Sequence, residues 1–193
     1  MLGSIPNGFL VAKAKGIDIR EHGSKNIGAT NVLRVLGKGP GYTVFALDAV
    51  KGVCAVLLGG WIASWQPDRL GEIVGGISCI LGHSFTPWLG FKGGKGVATT
   101  AGILLTLFHP FVLLIVLSVW LALFYATRFV SVASIVAALA IPATVWLMVA
   151  RGNPHGMPIL LFSVVVSLLV VIRHKPNIIR LGNGTEPRFA RKT

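Results

Sequence analysis

The sequence predicts an all-α integral membrane protein with seven transmembrane helices, the first of them truncated, its N-terminus outside and its C-terminus in the cytoplasm. Three observations carry this prediction. Of the 193 residues, 53% are hydrophobic and the mean hydropathy is +0.75. Only 12% are charged, against roughly 25% in an average soluble domain, and such a chain cannot cover itself with polar surface. The basic residues, which set a net charge of +12, gather in short segments between apolar runs.

A membrane span needs about 20 apolar residues, fewer if it is shielded by other helices. Met1–Ala12 is apolar but too short, begins abruptly and lacks the basic start of a signal peptide. It reads as the inner half of a first transmembrane helix whose outer half is missing. Tyr42–Trp65 is the next run, carrying Asp48 and Lys51 at i and i+3, a spacing that pairs them within one helix. Gly71–Leu89 follows. Val97–Thr127 is too long for one comfortable span, and the dipeptide His109-Pro110 divides it into two helices, because proline removes a helix hydrogen bond. Val130–Ala150 and Met157–Ile172 complete the seven. No linker or repeat divides the chain, so residues 1–193 read as a single domain.

The charges orient these spans. Lys13, Lys15, Arg20, Lys25, Arg34 and Lys38 follow the first run, Lys92 and Lys95 separate the third from the fourth, and Arg128 separates the fifth from the sixth. Arg173, Lys175, Arg180, Arg188, Arg191 and Lys192 lie in the tail. Seven crossings place these fifteen on one face, with only Arg69 and Arg151 opposite and Lys51 inside a helix. That face is the cytoplasmic one. The topology accounts for the positive charge, so nucleic-acid binding is excluded. Cys54 and Cys79, both in apolar runs, read as small buried hydrophobes and not as a disulfide or metal pair.

Three of the basic segments are also rich in glycine and small polar residues. In the first, Gly23, Gly28 and Ala29 bare the backbone, so its N–H groups can converge on an anion, and Ser24, Asn26, Thr30 and Asn31 add side-chain donors. Thr30 or Asn31 is placed to cap a following helix, with Arg34 about one turn further on. In the second, Gly93, Gly94 and Gly96 bracket Lys95 just before a helix begins at Val97. Bare backbone, a helix N-terminus and one lysine make a phosphate cradle, though the Walker spacing is absent. His83 lies upstream, equally readable as a satisfied core histidine and as a participant. The third is Arg173–Arg180, where His174 and Asn177 exceed what a positive stop signal requires. Ser131 and Ser134, after Arg128, either reach the same depth or ease helix packing. All three segments fall on one membrane face, which points to phosphorylated substrates arriving from the cytoplasm, with apolar helices behind to hold a lipid chain.

At these segments the sequence resembles the bacterial acyl-phosphate:glycerol-3-phosphate acyltransferases, the PlsY family. Its G-S-x-N-x-G-A-T-N-x-x-R-x-L-G-K pattern is met over Gly23–Lys38, its G-H…F-x-G-G-K-G-V-A-T over Gly82–Thr99, and its R-H-x-x-N-I-x-R-L over Arg173–Leu181. D-x-x-K-G at Asp48–Gly52 and R-x-x-S-x-x-S at Arg128–Ser134 match too. The resemblance runs in order from Gly3 to about Leu181. Family members have more of the first helix, commonly glycine in place of Lys25, and commonly glutamate in place of Pro176.

The resemblance implies a seven-helix enzyme of the bacterial cytoplasmic (inner) membrane, acting as a monomer with its site on the cytoplasmic face. It would move a fatty acyl group from acyl phosphate to the 1-hydroxyl of sn-glycerol 3-phosphate. Acyl phosphate is already an activated mixed anhydride, so no metal or other cofactor is expected. Ser24, Arg34, Lys95 and His174 are the expected catalytic residues. Gly23, Asn26, Gly28, Thr30, Asn31, Gly93, Gly94, Gly96, Ser134 and Asn177 are the expected binding residues. The Gly23–Gly28 backbone with Ser24 and Asn26 would hold the acyl phosphate. Arg34, Lys95, His174 and Asn177 would hold glycerol 3-phosphate by positioning and electrostatics. His174 is the obvious base by its ordinary pKa, but it lies among basic residues with no carboxylate in sequence reach, so a substrate phosphate is favoured as proton acceptor. The H-x-x-x-x-D pair of other glycerolipid acyltransferases is missing: none of His22, His83, His109, His155 and His174 has Asp five positions later. A transporter would instead show repeats and midplane polar residues on several helices, and a non-catalytic adaptor has no use for three anion cradles.

Overall fold

The computed structural model describes residues 1–65, 69–151 and 156–189, all of them in helices, turns or irregular backbone and none in strands. His155 and the basic tail residues Arg191 and Lys192 lie outside the described residues. The helices are α1 (Asn7–Lys13), α2 (Ala29–Leu36), α3 (Lys38–Ile62), α4 (Leu70–Ser84), α5 (Val97–Leu107), α6 (Pro110–Thr127), α7 (Val130–Val149), α8 (Gly156–Arg173) and α9 (Lys175–Gly182). Four of them, α3, α6, α7 and α8, are long and apolar enough to cross a membrane. Their exposure pattern reverses that of a soluble protein: Leu57, Trp61, Leu114 and Leu161 point outward, while Asp48, Lys51, Ser163 and Ser167 are buried.

The chain forms two compact units, Met1–Leu107 and the remainder from Phe108. The division falls where the sequence predicted a break. α5 ends at Leu107, and Pro110 opens α6 with His109 as its cap, the imidazole Nδ1 accepting the Phe111 N–H at 3.2 Å. Proline suits a first helical turn, where its missing N–H costs nothing.

Three elements differ from the sequence-based expectation. Met1–Ala12 is not one continuous helical segment. Leu2–Ser4 forms a 3₁₀ turn, and Pro6 drives Ile5 into extended backbone before α1 starts. The run Gly71–Leu89 stops being α-helical at Ser84, and a 3₁₀ turn follows at Pro87–Leu89. α4, with 15 residues, and α5, with 11, are therefore about 22 and 17 Å long, shorter than the ~30 Å hydrocarbon layer. The backbone they give up forms the glycine loop between them.

Within the first unit α3 packs against α2, α4 and α5. Gly59 meets Gly71, Ala55 meets Gly75, and Cys79 Sγ reaches the Lys51 carbonyl at 3.4 Å. Partners that step four residues down α3 as they step four up α4 define an antiparallel pair. Glycines at the crossing are required, since a Cβ at Gly59, Gly71 or Gly75 would overlap opposing backbone. At the far end Arg69 pairs with Glu72 and donates to the Leu107 carbonyl at 2.8 Å, tying the start of α4 to the end of α5. In the second unit α7 packs between α6 and α8, with Phe108 and Phe162 in contact at 5.9 Å between ring centroids.

Candidate active site

The first basic segment folds as a loop wound around one side chain. Asn31 is 2% exposed. Its amide oxygen accepts the Ser24 N–H at 2.8 Å, and its nitrogen donates to the carbonyls of Asn26 (2.9 Å), His22 (3.0 Å) and, at 3.3 Å, Ile19. The Asn26 side chain accepts the Gly28 N–H at 2.9 Å, and the Lys25 N–H goes to the His22 carbonyl at 3.0 Å. Gly23 and Lys25 both sit in the left-handed region, at φ 59° and 58°. For Gly23 no Cβ is tolerable, because it would overlap Asn31. The N–H groups of Ser24, Lys25 and Gly28 are thus engaged inside the loop and do not converge on an external anion. Asn31 holds the loop together and has no polar atom left over for a ligand. The N-cap of α2 is Gly28, and neither Thr30 nor Asn31 takes that place; both lie in the first helical turn. Ser24, Asn26, Thr30 and Arg34 are half-buried at the surface of this assembly. Apolar packing of Ile19, Ile27, Val32 and Val44 fixes it onto α3, and Gly41 of α3 lies against Leu33 of α2.

At the mouth of this loop Arg20 grips Asp18, Nη2 to Oδ2 at 2.6 Å. Hydrogen bonds from the Arg20 side chain and backbone hold the Asp18 carboxyl down at about 2.

The second segment folds back on the end of α4. The Gly93 N–H donates to the Ser84 carbonyl at 3.1 Å and the Gly94 N–H to the His83 carbonyl at 3.0 Å. Gly93 and Gly94 are buried, and a Cβ on either would collide with His83. Gly96, at φ 80°, turns the chain into α5. Lys95 is half-buried between these buried glycines, immediately before the N-terminus of α5. Nearby on α4 and α5, the hydroxyls of Ser84, Thr99 and Thr100 are buried and make no hydrogen bond. A phosphate cradle needs these ingredients: a helix start, close backbone and one cation.

The third segment lies in the second unit. His174 is 2% exposed and caps α9. Its Nδ1 is 2.7 Å from the Val170 carbonyl oxygen. A carbonyl only accepts, so Nδ1 carries the proton and Nε2 is the nitrogen that bears the lone pair in the neutral ring. Asn177, buried, donates from Nδ2 to Glu186 Oε1 at 2.7 Å, while its own amide oxygen is buried and makes no hydrogen bond. Arg180 Nε reaches the other oxygen of Glu186 at 2.8 Å. Burial works against ionisation of Glu186. Hydrogen bonds from Asn177 and Arg180 outweigh it and hold the carboxyl below its usual range. Ser134 is buried and accepts the Trp120 indole N–H at 3.1 Å, so it fastens α7 to α6.

Glu186 was missed from sequence. It belongs to no motif, and the available signal was its rarity, one of six acidic residues placed in a strongly basic tail. The Val170 carbonyl that orients His174 was invisible because it is backbone. His83, Asp48 and Lys51 are all drawn into one buried cluster, with Lys51 Nζ 2.8 Å from Asp48 Oδ1.

The family model for glycerol-3-phosphate acyltransferase matches residues 1–184. The glycerol-3-phosphate acyltransferase of Thermosynechococcus vestitus is 44% identical over 98% of this chain and 90% of its own length. That of Desulforamulus reducens is 45% identical over 100% of this chain and 92% of its own. Among solved structures, the glycerol 3-phosphate form of PlsY (YgiH), described as an integral membrane glycerol 3-phosphate acyltransferase, superposes with a TM-score of 0.87 at 40% identity, covering 98% of this chain and 90% of that one. Its lysophosphatidic acid form gives 0.84 at 39%. With four helices long and apolar enough to cross a membrane, a glycine loop bearing one lysine, and matches of this extent, the chain belongs to the glycerol-3-phosphate acyltransferase family.

Proposed function

We propose that this protein acylates the 1-hydroxyl of sn-glycerol 3-phosphate with acyl phosphate as donor, giving lysophosphatidate and inorganic phosphate. The hydroxyl oxygen bonds to the acyl carbon, the bond from that carbon to the phosphate oxygen breaks, and the hydroxyl proton leaves with a phosphate oxygen. Family membership supports the acyltransfer, and the two neighbouring forms, one with glycerol 3-phosphate and one with lysophosphatidic acid, correspond to an acceptor and a product. The observation that carries the reading on this chain is the loop Gly93–Gly96, pressed onto the end of α4 with Lys95 at the start of α5.

In this reading Arg34, Lys95 and His174, with the Asn177 amide oxygen, bind the glycerol 3-phosphate, and Ser24, Asn26 and Thr30 with Gly23 and Gly28 border the acyl phosphate. Gly93, Gly94 and Gly96 bring backbone close to a phosphate. Asn31 holds the first loop together, and Ser134 fastens α7 to α6. The chain works as one domain and as a monomer. It crosses the bacterial inner membrane seven times, with the short α4 and α5 and the broken first segment counted as crossings and with the site on the cytoplasmic face. That orientation is supported by the fifteen basic residues that alternation places on one side.

The test is phosphate release by purified protein supplied with palmitoyl phosphate and glycerol 3-phosphate. Turnover is expected with both present and none when palmitoyl-CoA replaces palmitoyl phosphate, since the chain has no H-x-x-x-x-D pair. Robust turnover with palmitoyl-CoA alone would overturn the choice of donor.

A further inference from the structure

Lys51 lies thirteen residues into the 25-residue α3, about 20 Å from its start. It is 4% exposed and Asp48 only 2%. Two charges at that depth must neutralise one another, and they do, at 2.8 Å. The Asn7 amide donates to the same carboxylate oxygen at 3.0 Å, and Lys51 donates to the Ile5 carbonyl at 3.0 Å. These contacts would satisfy a purely structural pair. Lys51 makes one more, to Nδ1 of His83 at 2.8 Å. The Asp48 oxygen stands 3.7 Å from that same nitrogen, too far for a hydrogen bond.

An ammonium group donates and never accepts. Nδ1 of His83 is therefore the lone-pair nitrogen, and in the neutral ring the proton sits on Nε2. Nε2 lies against Gly94, where a Cβ would overlap it. The backbone of the same histidine receives the Gly94 N–H, and that of its neighbour Ser84 receives the Gly93 N–H. His83 thus touches the glycine loop twice, through its carbonyl and through its ring, and the ring's rotation and tautomer are set from behind by a buried ion pair.

We infer that His83, oriented by Lys51 and Asp48, is a positioning residue that sets the conformation of the Gly93–Gly96 loop and with it the placement of the Lys95 ammonium group. The inference rests on the reading of Lys95 as a phosphate-binding residue. It accounts for a charged pair kept at a depth where an apolar pair would pack as well, and for the absence of a side chain at Gly94.

Two substitutions separate the two ends of the ring. His83→Asn keeps an acceptor for Lys51 and is too short to reach Gly94. His83→Gln extends to the position of Nε2 with an N–H donor. His83→Asn is expected to unfold in detergent within a few degrees of wild type while raising KM for glycerol 3-phosphate about tenfold, with a smaller change in kcat. His83→Gln should recover most of that loss. Lys95→Ala is measured alongside. Wild-type kinetics in Lys95→Ala would remove the underlying reading of the site. A severe defect in Lys95→Ala with an unchanged KM in folded His83→Asn would overturn the positioning role alone. So would a fall in kcat at unchanged KM, or loss of folding in both His83 variants, which would make the ring a support of the helices and not of the loop.

Discussion

His174 is held by a group that the sequence could not show. From sequence its ring had no carboxylate in reach to orient it. The Val170 carbonyl, one turn back on α8, accepts its Nδ1–H at 2.7 Å. Backbone thus holds the Nδ1 side of the ring, and Nε2 bears the lone pair in the neutral ring. Nε2 can receive a proton or, once protonated, donate to a phosphate. Arg173, Lys175 and Arg180 nearby disfavour a further positive charge, which argues for a binding role. His174→Ala is expected to raise KM for glycerol 3-phosphate strongly and to lower kcat much less, with His174→Asn intermediate. If kcat instead collapsed by roughly two to four powers of ten with KM unchanged, the imidazole would be the general base. His83 tells a parallel story. Of its two readings, core histidine and participant, burial meets the first, and its ring lies against Gly94 of the glycine loop.

At the scale of elements, the last helix and the strap after it form one unit. α9 ends at Gly182, and the chain turns so that the N–H groups of Thr185 and Glu186 meet the Arg180 carbonyl. Glu186 then clamps Asn177 and Arg180. The strap continues to α7 and α6, with the Phe189 N–H on the Arg128 carbonyl and the Arg188 guanidinium over the Phe129 ring. The carboxyl of Glu186 is held below the ordinary glutamate value of 4.5. Its contribution is therefore complete above that value and is lost as the pH falls through the depressed one. Glu186→Gln is expected to cost about 1.5–3 kcal/mol at neutral pH, the loss of hydrogen bonds to a charged group, read as a lower unfolding temperature in detergent. The gap between wild type and variant should stay constant from pH 7 to 5 and close only below pH 4.5. A gap that closed already between pH 7 and 6 would show that Glu186 is not the ionised clamp. The loop before α2 follows the same logic with a neutral hub. Its donors looked available for an anion because composition shows which groups exist and not which are already paired: the Ser24 N–H goes to Asn31, the Gly28 N–H to Asn26 and the Lys25 N–H to the His22 carbonyl.

On the scale of the whole molecule, topology is the property most open to direct measurement. In a Cys54→Ala/Cys79→Ala background, Arg151→Cys and Lys175→Cys introduce single labels at exposed positions. A membrane-impermeant maleimide is expected to label the variant at 151 in intact cells and the variant at 175 only after permeabilisation; the reverse pattern would overturn the orientation. The sequence by itself determined that the chain is a helical membrane protein, where most of its helices begin and end, to which family it belongs, and that Asp48 and Lys51 pair. Those properties follow from local composition and period: apolar runs need lipid, prolines break helices, and charges three apart on a helix meet. Tertiary structure alone decided which donors are consumed inside the first loop, that α4 and α5 stop short to admit a glycine loop, that Glu186 reaches Asn177, and that Lys51 sets the ring of His83 beneath Gly94. Each of these depends on atoms distant in sequence, or on backbone carbonyls that every residue shares, and hydrogen bonds of that kind are chosen by packing rather than by the identity of neighbours along the chain.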